Sequence, residues 1–305
     1  MRADVHGILL LDKPLGLSSA AAVGRVKWLF GARKAGHTGS LDPLATGLLP
    51  VCLGEATKFG AQLLDADKSY RVTVRLGERT PSADRESEVI ERRALPEYPQ
   101  EELRGALRGF PREYEQVPPM HSAIKQGGKP LYEYARAGIS RERAARTLTI
   151  HALELLDWTP PDLRFEVSCS KGTYIRVLAE DLAARLGTIG HLAALRRLSV
   201  DPFGSARQWT LEELTALDAG RRSEALLPVD AALTAWRRYD LSPEALPALR
   251  QGQAIALGAG GDREPGTVRI YADGLGFLGL GEIEAAGRLI PRRLISTEAP
   301  PSNPA

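Results

Sequence analysis

Cysteine is scarce in this sequence, which has only Cys52 and Cys169 among 305 residues. Such a low count excludes the disulfide framework of small secreted domains and a zinc site built from several thiolates. Cys169 shares the apolar face of a predicted strand, residues 163–170, which favours a core thiol over a nucleophile. The five histidines do not fall in a metal-ligand spacing. We therefore expect no bound metal.

Long apolar runs are also missing. No stretch approaches the roughly 20 consecutive apolar residues that a membrane-spanning helix needs. Residues 1–7 lack the apolar region of a signal peptide. These two observations predict a cytoplasmic protein that does not contact a membrane.

Neither sign of charge is in large excess. Forty Lys and Arg residues against thirty-eight Asp and Glu residues give a net charge of +2. Overall charge therefore does not indicate a nucleic-acid partner, and any electrostatic footprint must be local. A hydrophobic content of 43% and a charged content of 26% are typical of a globular protein. A chain of 305 residues exceeds what one core usually serves, which predicts two domains.

The most informative stretch present is the loop Gly36–Pro50. It is too apolar for an ordinary surface loop and too rich in glycine and proline for a helix or strand. Its only carboxylate is Asp42, which Pro43 biases toward an extended or turn conformation. An ionised carboxylate among aliphatic side chains is costly unless it meets a cation or hydrogen-bond donors. Asp42 could simply cap a turn, but the long, ordered, His-containing loop around it favours a functional site.

Two later segments carry polar side chains that suit such a site. Residues 69–77 alternate as a strand, so Tyr70 is either a core aromatic or the start of a pocket-facing strand. A helix predicted to begin near Tyr174 places Arg176 in its first turn, where a cation opposes the helix dipole. A carboxylate partner is therefore expected for Arg176, and Asp42 is the candidate.

Other segments give simpler expectations. A helix capped by Ser18 or Ser19 is predicted to end in several cations. These cations indicate a solvent-exposed face, and their position at the C-terminal end is favourable for the helix dipole. The polar run Pro81–Leu95 predicts an exposed excursion, and Leu226–Trp236 predicts an amphipathic helix. Arg196 and Arg197 could serve phosphates or buried ion pairs, and the sequence does not separate these uses.

Cations cluster in a third region, residues 118–146. Between His121 and Arg146, six cations meet two anions, with two tyrosines and the pair Gly127-Gly128 interleaved. Charge runs are usually solvated faces, but this combination favours a mobile arm that grips phosphates. The candidates for RNA-backbone contact are Lys125, Lys129, Arg136 and Arg141.

The loop around Asp42, together with Gly54–Phe59, resembles the catalytic-aspartate motif of the TruB family of tRNA pseudouridine synthases. The Leu-Asp-Lys-Pro run at residues 11–14 and the Lys-Gly-Thr-Tyr-Ile-Arg run at 171–176 resemble two further motifs of that family. The resemblance covers nearly the whole chain. It implies an α+β fold with a mixed, mainly antiparallel sheet, helices and an inserted RNA-clamping arm at 118–146.

The same resemblance implies the domain organisation. Residues 1–236 would form the catalytic domain, 237–298 a PUA-like RNA-binding domain, and 299–305 a tail. Short strands around an Asp273-Gly274 turn independently predict a small β-barrel in the second domain.

The implied reaction is isomerisation of uridine to pseudouridine at position 55 in the T-loop of tRNA, on a base flipped out of its stack. By resemblance, Asp42 attacks the nucleotide, Arg176 keeps that carboxylate charged, and Tyr70 stacks on the base and accepts a proton. The sequence does not decide between attack on the ribose and attack on the pyrimidine ring. No cofactor is expected. The residues implied in substrate binding are His37, Tyr70, Tyr174 and Leu195.

Two alternatives stay open at this point. The chain could be a pseudouridine synthase for another RNA, or a non-catalytic protein that binds or folds tRNA. The hypothesis of a tRNA pseudouridine synthase predicts the T-arm stem-loop of tRNA as partner, no obligate protein partner, and a monomer.

Overall fold

The computed structural model describes residues 4–204, 206–258 and 263–296. Within these ranges, 18 strands form a nine-stranded sheet, a five-stranded sheet and two short hairpins. In chain order they are β1 (Gly7–Lys13), β2 (Ala35–His37), β3 (Ala45–Leu53), β4 (Lys68–Leu76), β5 (Glu78–Arg79), β6 (Glu91–Arg92), β7 (Glu113–Gln116), β8 (Lys125–Gln126), β9 (Lys129–Pro130), β10 (Arg146–Thr159), β11 (Asp162–Cys169), β12 (Gly190–Val200), β13 (Leu226–Leu227), β14 (Arg237–Leu241), β15 (Ile255–Ala256), β16 (Gly266–Ala272), β17 (Gly276–Ile283) and β18 (Arg288–Leu294).

The helices of the described residues are short. They are α1 (Ser19–Leu29), α2 (Gly60–Leu64), α3 (Gln100–Arg108), α4 (Leu131–Arg136), α5 (Ile175–Arg185), α6 (Leu211–Ala216), α7 (Ala219–Arg222) and α8 (Leu246–Arg250), with 3-10 turns at Gly54–Phe59, Ser223–Ala225 and Pro243–Ala245. None of these helices has the length and apolar content to cross a membrane. The Ser18 side chain accepts a hydrogen bond from the Ala21 N–H, which confirms the predicted cap of α1.

The large sheet follows the order β13-β1-β3-β12-β4-β11-β10-β7, and β2 pairs with β3. Its pairs are antiparallel except for β3 with β12, so the predicted mixed, mainly antiparallel sheet is confirmed. Along β4, alternate side chains are buried, because one face of the pleated strand packs against the core. The buried residues are Lys68, Tyr70, Val72, Val74 and Leu76.

The prediction that Pro81–Leu95 is an exposed excursion is wrong near its start. Ala83 and Asp84 are buried, at 6% and 3% exposure. The Leu192 N–H donates to the Ala83 carbonyl at 3.0 Å, and the Arg85 N–H donates to the Leu192 carbonyl at 3.1 Å. These bonds hold the loop against β12, so the start of this polar segment is buried although its composition predicted exposure.

The helix predicted at Leu226–Trp236 is also absent from the described structure. Leu226 and Leu227 pair instead with Leu9 and Ile8 of β1. Pro228 follows directly, and its missing N–H and fixed φ disfavour a helix that continues through it. The segment therefore adds a short edge strand to the sheet and then turns.

The five-stranded sheet has the order β14-β16-β17-β18-β15 and encloses its own apolar cluster. The predicted hairpin is confirmed, with β16 and β17 joined through Asp273-Gly274. This sheet packs on the first one through the 3-10 turn Gly54–Phe59. The Phe59 ring meets the Phe277 ring edge-on at 5.4 Å, and the Lys58 ammonium donates to the Leu294 carbonyl at 3.0 Å.

Candidate active site

The loop that carries Asp42 is fastened to the start of α1. The Ser19 hydroxyl accepts a hydrogen bond from the Leu41 N–H at 2.7 Å and donates to the Leu41 carbonyl at 3.0 Å. The Gly16 N–H donates to the Pro43 carbonyl at 2.8 Å. Backbone on both sides of Asp42 is therefore fixed by the segment that begins α1.

A second support for the loop is Arg197, which is only 1% exposed. Its guanidinium donates to the Leu48 carbonyl at 2.6 Å and to the Gly39 carbonyl at 3.1 Å. A Cβ atom at Gly47 would lie 2.2 Å from the Arg197 carbonyl oxygen, so the close approach of β3 to β12 requires glycine there. Arg197 thus supports the loop from behind, whereas Arg196 pairs with Asp12 at 2.7 Å.

Asp42 meets the partner that the sequence predicted. The Arg176 Nε lies 3.0 Å from the Asp42 Oδ2. The Arg176 side chain is 6% exposed, whereas that of Asp42 is 41% exposed. The guanidinium is therefore built into the protein, and the carboxylate that it holds faces outward, where a substrate can reach it.

Arg176 is itself held from three sides. It donates to the Ser82 carbonyl at 3.3 Å and to the His121 carbonyl at 2.7 Å. A second carboxylate, Asp84, lies 3.8 Å from its Nε, and the Asp84 side chain is 5% exposed. Arg176 therefore joins the Asp42 loop to the loop after β5 and to the root of the 118–146 segment.

Sequence reasoning missed Asp84. A single aspartate in a polar run shows no periodicity that would place it inward. The Ser82 hydroxyl donates to the Asp84 carboxylate at 2.6 Å, and the Glu86 N–H donates to it at 3.0 Å. Ala83, just before it, has φ of +58°, a conformation that non-glycine residues rarely adopt. Local strain and buried charge together mark this loop as part of the site.

Burial raises the pKa of Asp42 above its ordinary value, and the nearby Asp84 carboxylate acts in the same direction. Arg176 opposes this rise by favouring the ionised form, and Lys13 opposes it more weakly. Lys13 is fully buried and donates to the Leu17 carbonyl at 2.6 Å. Burial lowers the pKa of Lys13 to about 8, although the Asp42 charge acts against that change.

Tyr70 lies on β4 and is 7% exposed. Burial raises the pKa of its phenol, and the neighbouring Arg197 offsets part of the rise. The charge of Asp42 also raises this pKa, which shows that the two side chains share one electrostatic environment. At neutral pH the Tyr70 hydroxyl is therefore protonated.

The four predicted substrate-binding residues lie on four different elements: β2, β4, the start of α5 and β12. Tyr174 caps α5, and the Gln116 amide bonds to its N–H at 2.8 Å and its carbonyl at 3.1 Å. Leu195 on β12 stands opposite Val72 of β4 and beside Ala45 of β3. Burial and the charge of Asp42 both raise the pKa of the Tyr174 phenol. Tyr174 thus shares the electrostatic environment of Asp42, as Tyr70 does.

His37 ends β2 and is half-buried. Its Nδ1 atom is buried and has no hydrogen-bond partner among the described residues. Burial lowers the pKa of this imidazole, and Arg197 lowers it further, so the neutral ring predominates at neutral pH. A neutral, half-buried ring suits stacking or hydrogen bonding to a ligand through its accessible part.

The four predicted backbone-contact cations lie in the 118–146 segment. Lys125 and Lys129 are on the β8–β9 hairpin, whose turn is Gly127-Gly128 with both φ angles positive. The Arg136 guanidinium lies over the Tyr132 ring at 5.4 Å, and that of Arg141 over the Tyr134 ring at 4.6 Å. All four cations are exposed, and no cluster of His, Cys, Asp or Glu within the described ranges could hold a metal ion.

Comparison with known families defines the class. A model described as TruB family pseudouridylate synthase (N terminal domain) matches residues 27–175. A tRNA pseudouridylate synthase B C-terminal domain matches 176–234, and a Pseudouridine synthase II TruB C-terminal model matches 239–295. Asp42, Tyr70 and the Tyr174-Ile175 entry to α5 all lie inside the first match. By class the protein is a pseudouridine synthase.

Whole-chain relatives define the family. The tRNA pseudouridine synthase B of Aromatoleum aromaticum is 51% identical over 298 residues, covering 98% of this chain and 95% of the relative. That of Thiobacillus denitrificans is 50% identical over 297 residues, covering 97% and 98%. The chain belongs to the TruB family.

Solved structures support the fold alone, because their identity to this chain is low. A Cbf5-Nop10-Gar1 complex aligns with a TM-score of 0.71 at 24% identity, covering 97% of this chain and 87% of the other. An H/ACA RNP bound to a substrate RNA containing 2'-deoxyuridine aligns with a TM-score of 0.68 at 22% identity, covering 97% and 87%. The mixed α+β architecture is therefore the pseudouridine synthase fold.

Proposed function

We propose that this protein isomerises uridine to pseudouridine in tRNA, at position 55 of the T-loop. The observation that carries the proposal is the outward-facing Asp42 carboxylate held at 3.0 Å by a buried Arg176 guanidinium. Family membership and the names of relatives that are about half identical to this chain support tRNA as the substrate. Position 55 rests on the motif resemblance.

The reaction needs a target base that has left its stack, at a cost of a few kcal/mol. Asp42 then forms a covalent bond to the nucleotide, the bond between uracil N1 and ribose C1′ breaks, and the base turns. A new bond forms between uracil C5 and C1′, and the bond between Asp42 and the nucleotide breaks, which restores the carboxylate. The proton on C5 is lost while N1 gains one. Substrate and product contain the same atoms, so the reaction itself requires no oxidant, reductant or group donor.

Arg176 acts on Asp42 in two ways. Its charge favours the ionised carboxylate that a nucleophile must be, against the effect of burial. Its bonds to the Ser82 and His121 carbonyls fix the direction in which the guanidinium points. The carboxylate is thereby oriented before the substrate binds. Such preorganisation lowers the barrier to attack, in addition to the effect of the charge.

Tyr70 has two assigned roles, stacking on the extruded base and accepting the C5 proton. The raised pKa of the phenol favours its neutral form, which suits stacking and disfavours proton acceptance by a phenolate. Tyr70→Phe separates the roles, because it keeps the ring and removes the hydroxyl. His37, Tyr174 and Leu195 complete the contacts to the nucleotide and to the RNA that it leaves.

We further propose that residues 1–236 form the catalytic domain and 237–298 a PUA-like RNA-binding domain. The five-stranded sheet of β14 to β18, with its own apolar cluster, supports the second unit. Within the first, 118–146 acts as the RNA-clamping insertion, and its root touches Arg176 through the His121 carbonyl. The predicted tail, 299–305, lies outside the described residues.

The protein is proposed to act on the T-arm as a monomer without an obligate protein partner, in the cytoplasm with its substrate. Size-exclusion chromatography with light scattering tests the monomer. A tRNA transcript with cytidine at position 55 tests the target position, since it offers the enzyme no uridine there.

The decisive experiment is a single-turnover assay of Asp42→Asn with a tRNA transcript labelled with tritium at uridine C5. Tritium release reports loss of the C5 proton. We expect no release, because the amide is a poor nucleophile, while tRNA affinity stays within about threefold of wild type. Asp65→Asn is the control, since Asp65 is exposed and pairs only with Lys171 among the described ion pairs. Turnover by Asp42→Asn would remove Asp42 as nucleophile.

A further inference from the structure

Trp28, on α1, has its side chain in solvent, with 80% of the residue exposed. The other tryptophans have contacts: Trp158 meets the Tyr98 ring at 6.0 Å, Trp209 meets the Arg207 guanidinium at 3.8 Å, and Trp236 packs against the Phe59–Phe277 cluster. Trp28 has no ring or cation contact within the described residues. A single exposed apolar residue is common and carries no meaning alone.

The charge around Trp28 supplies the second observation. From residue 13 to residue 41 the sequence has no acidic residue, although the whole chain has nearly equal numbers of each charge. Four cations lie near Trp28 along the chain, and none has a carboxylate partner within the described part of the structure. They are Arg25, Lys27, Arg33 and Lys34. This surface therefore favours a polyanion.

The cations are not explained by the helix dipole alone. Lys27 lies in the last turn of α1, where a cation is favourable. Arg33 and Lys34 lie beyond the helix and are exposed, and Arg25 is exposed one turn before its end. An aromatic side chain among unpaired cations is the combination that single-stranded nucleic acid binding uses.

The helix surface before Trp28 is uncovered at Gly24. Gly24, one turn before Trp28, is exposed, and a Cβ atom there would meet nothing within 4 Å. Helical side chains lean toward the N-terminus of their helix, so the indole of Trp28 borders this open space. Gly24 therefore adds no side chain beside the exposed Trp28.

Both ends of α1 are tied to the candidate active site. At its start, Ser19 bonds to Leu41, the neighbour of Asp42. Beyond its end, the chain enters β2, which finishes at His37. The nine residues from Ser19 to Trp28 span about 14 Å along a helix axis, a distance that an RNA engaged at Asp42 readily covers.

We propose that Trp28 and these four cations form a second contact for the tRNA substrate, in which the indole stacks on an unpaired base and the cations meet the phosphates beside it. The proposal rests on tRNA being the substrate, as proposed above. It adds a contact that none of the residues so far assigned to the reaction or to the arm provides.

The experiment measures the Kd of the full-length protein for tRNA with Trp28→Ala, Trp28→Phe and the control Leu156→Ala. Leu156 is an exposed apolar residue on β10, at 46% exposure, far across the sheet from α1. We expect Trp28→Ala to raise the Kd by about 5- to 150-fold, the loss of one base stack. Trp28→Phe keeps an aromatic face and should recover most of the affinity. Thermal unfolding shows whether each variant is folded.

Two further measurements identify what occupies the surface. Addition of tRNA should quench the tryptophan fluorescence of wild type more than that of Trp28→Phe, since a stacked base quenches an indole. Replacing Arg25 and Lys34 with glutamate should raise the Kd and reduce the slope of log K against log salt. Activity at subsaturating tRNA should fall in Trp28→Ala by the same factor as affinity.

Equal Kd values for wild type and Trp28→Ala, with equal quenching in Trp28→Phe, would overturn the proposal. A concentration-dependent dimer that Trp28→Ala abolishes, without change in tRNA affinity, would show a protein-binding surface instead. Wild-type protein measured in the same assays distinguishes a failure of the proposed reaction from a failure of the proposed Trp28 contact. Absence of pseudouridine formation by wild type refutes the proposed reaction, whereas the Kd comparison reports on Trp28 regardless.

Discussion

Replacing Arg176 with methionine tests whether one guanidinium serves two carboxylates for different purposes. Arg176 lies 3.0 Å from Asp42 and 3.8 Å from Asp84. The Asp84 side chain is 5% exposed, whereas that of Asp42 is 41% exposed. The buried pair therefore affects stability, and the outward pair affects reactivity. Methionine keeps an unbranched apolar stem of similar shape and removes the charge.

The magnitudes follow from these exposures. Two opposite charges at about 4 Å attract by about 4 kcal/mol at an effective dielectric constant of 20, and removing one partner of a buried pair costs about 3–5 kcal/mol. We expect that loss in the free energy of unfolding of Arg176→Met, because Asp84 is left buried and unpaired. Asp42→Asn should cost only about 1 kcal/mol, since a partly exposed carboxylate gains little from pairing and Arg176 keeps Asp84 as a partner at 3.8 Å.

The double variant Arg176→Met with Asp84→Asn removes both buried charges. Its stability should recover part of the loss and remain about 1–3 kcal/mol below wild type, because the Ser82 and His121 carbonyls lose their donor. The coupling energy between the two substitutions should be about 2 kcal/mol or more. Activity should not recover, since Asp42 still lacks its guanidinium.

Urea unfolding monitored by tryptophan fluorescence gives the free energies of wild type, Arg176→Met, Asp84→Asn and the double variant. The tritium-release assay gives the activity of the same four proteins. Arg176→Lys is the matched control for charge, because an ammonium cannot make the same forked set of bonds. Additive free energies in the double-variant cycle would refute the paired burial of Arg176 and Asp84. Recovery of activity in the double variant would refute the role of Arg176 in orienting Asp42.

Three further predictions concern pH, backbone and charge. The single-turnover rate should fall on acidification, because only ionised Asp42 attacks and the pKa of Asp42 lies above the ordinary aspartate value of 3.8. A pH–rate profile that stays flat down to about pH 4 would contradict this prediction. Gly47→Ala should lower the free energy of unfolding by about 3 kcal/mol or more, since its Cβ would lie 2.2 Å from the Arg197 carbonyl oxygen. The control Gly16→Ala, at a glycine with φ of +83° and open space, should cost about 1 kcal/mol. Equal urea midpoints for the two variants would refute the clash. Alanine at all four arm cations should reduce the salt slope of tRNA binding by about 3, and Arg104→Ala on α3 should not change it; an unchanged slope excludes phosphate contacts at Lys125, Lys129, Arg136 and Arg141.

Local pattern predicted the elements whose environment is repetitive. The alternation along β4 placed Tyr70 on the buried face, and Ser18 caps α1 as expected. Pattern failed at Leu226–Leu227, because two leucines before a proline suit several structures, and only pairing with β1 selects a strand. Such pairing depends on residues more than two hundred positions away.

Local sequence predicted the central ion pair of the candidate site. An aspartate in a Gly- and Pro-rich apolar loop needs a cation, and an arginine in the first turn of a helix needs a carboxylate, so each predicts the other. The three motif runs that resemble the TruB family pointed to the same residues, and the Asp42–Arg176 distance agrees with that pairing. Composition and local sequence suffice here, because the cost of an unpaired charge is a property of the residue and its neighbours.

The positions of Asp84 and Arg197 beside this ion pair and its loop follow only from the folded structure. Asp84 reaches Arg176 because the Ala83–Arg85 backbone bonds to Leu192 on β12, and Arg197 reaches Leu48 because β12 lies beside β3. These contacts join residues about one hundred positions apart or more, and their distances follow from sheet register. Register is set by the packing of the whole apolar face, which no single segment contains.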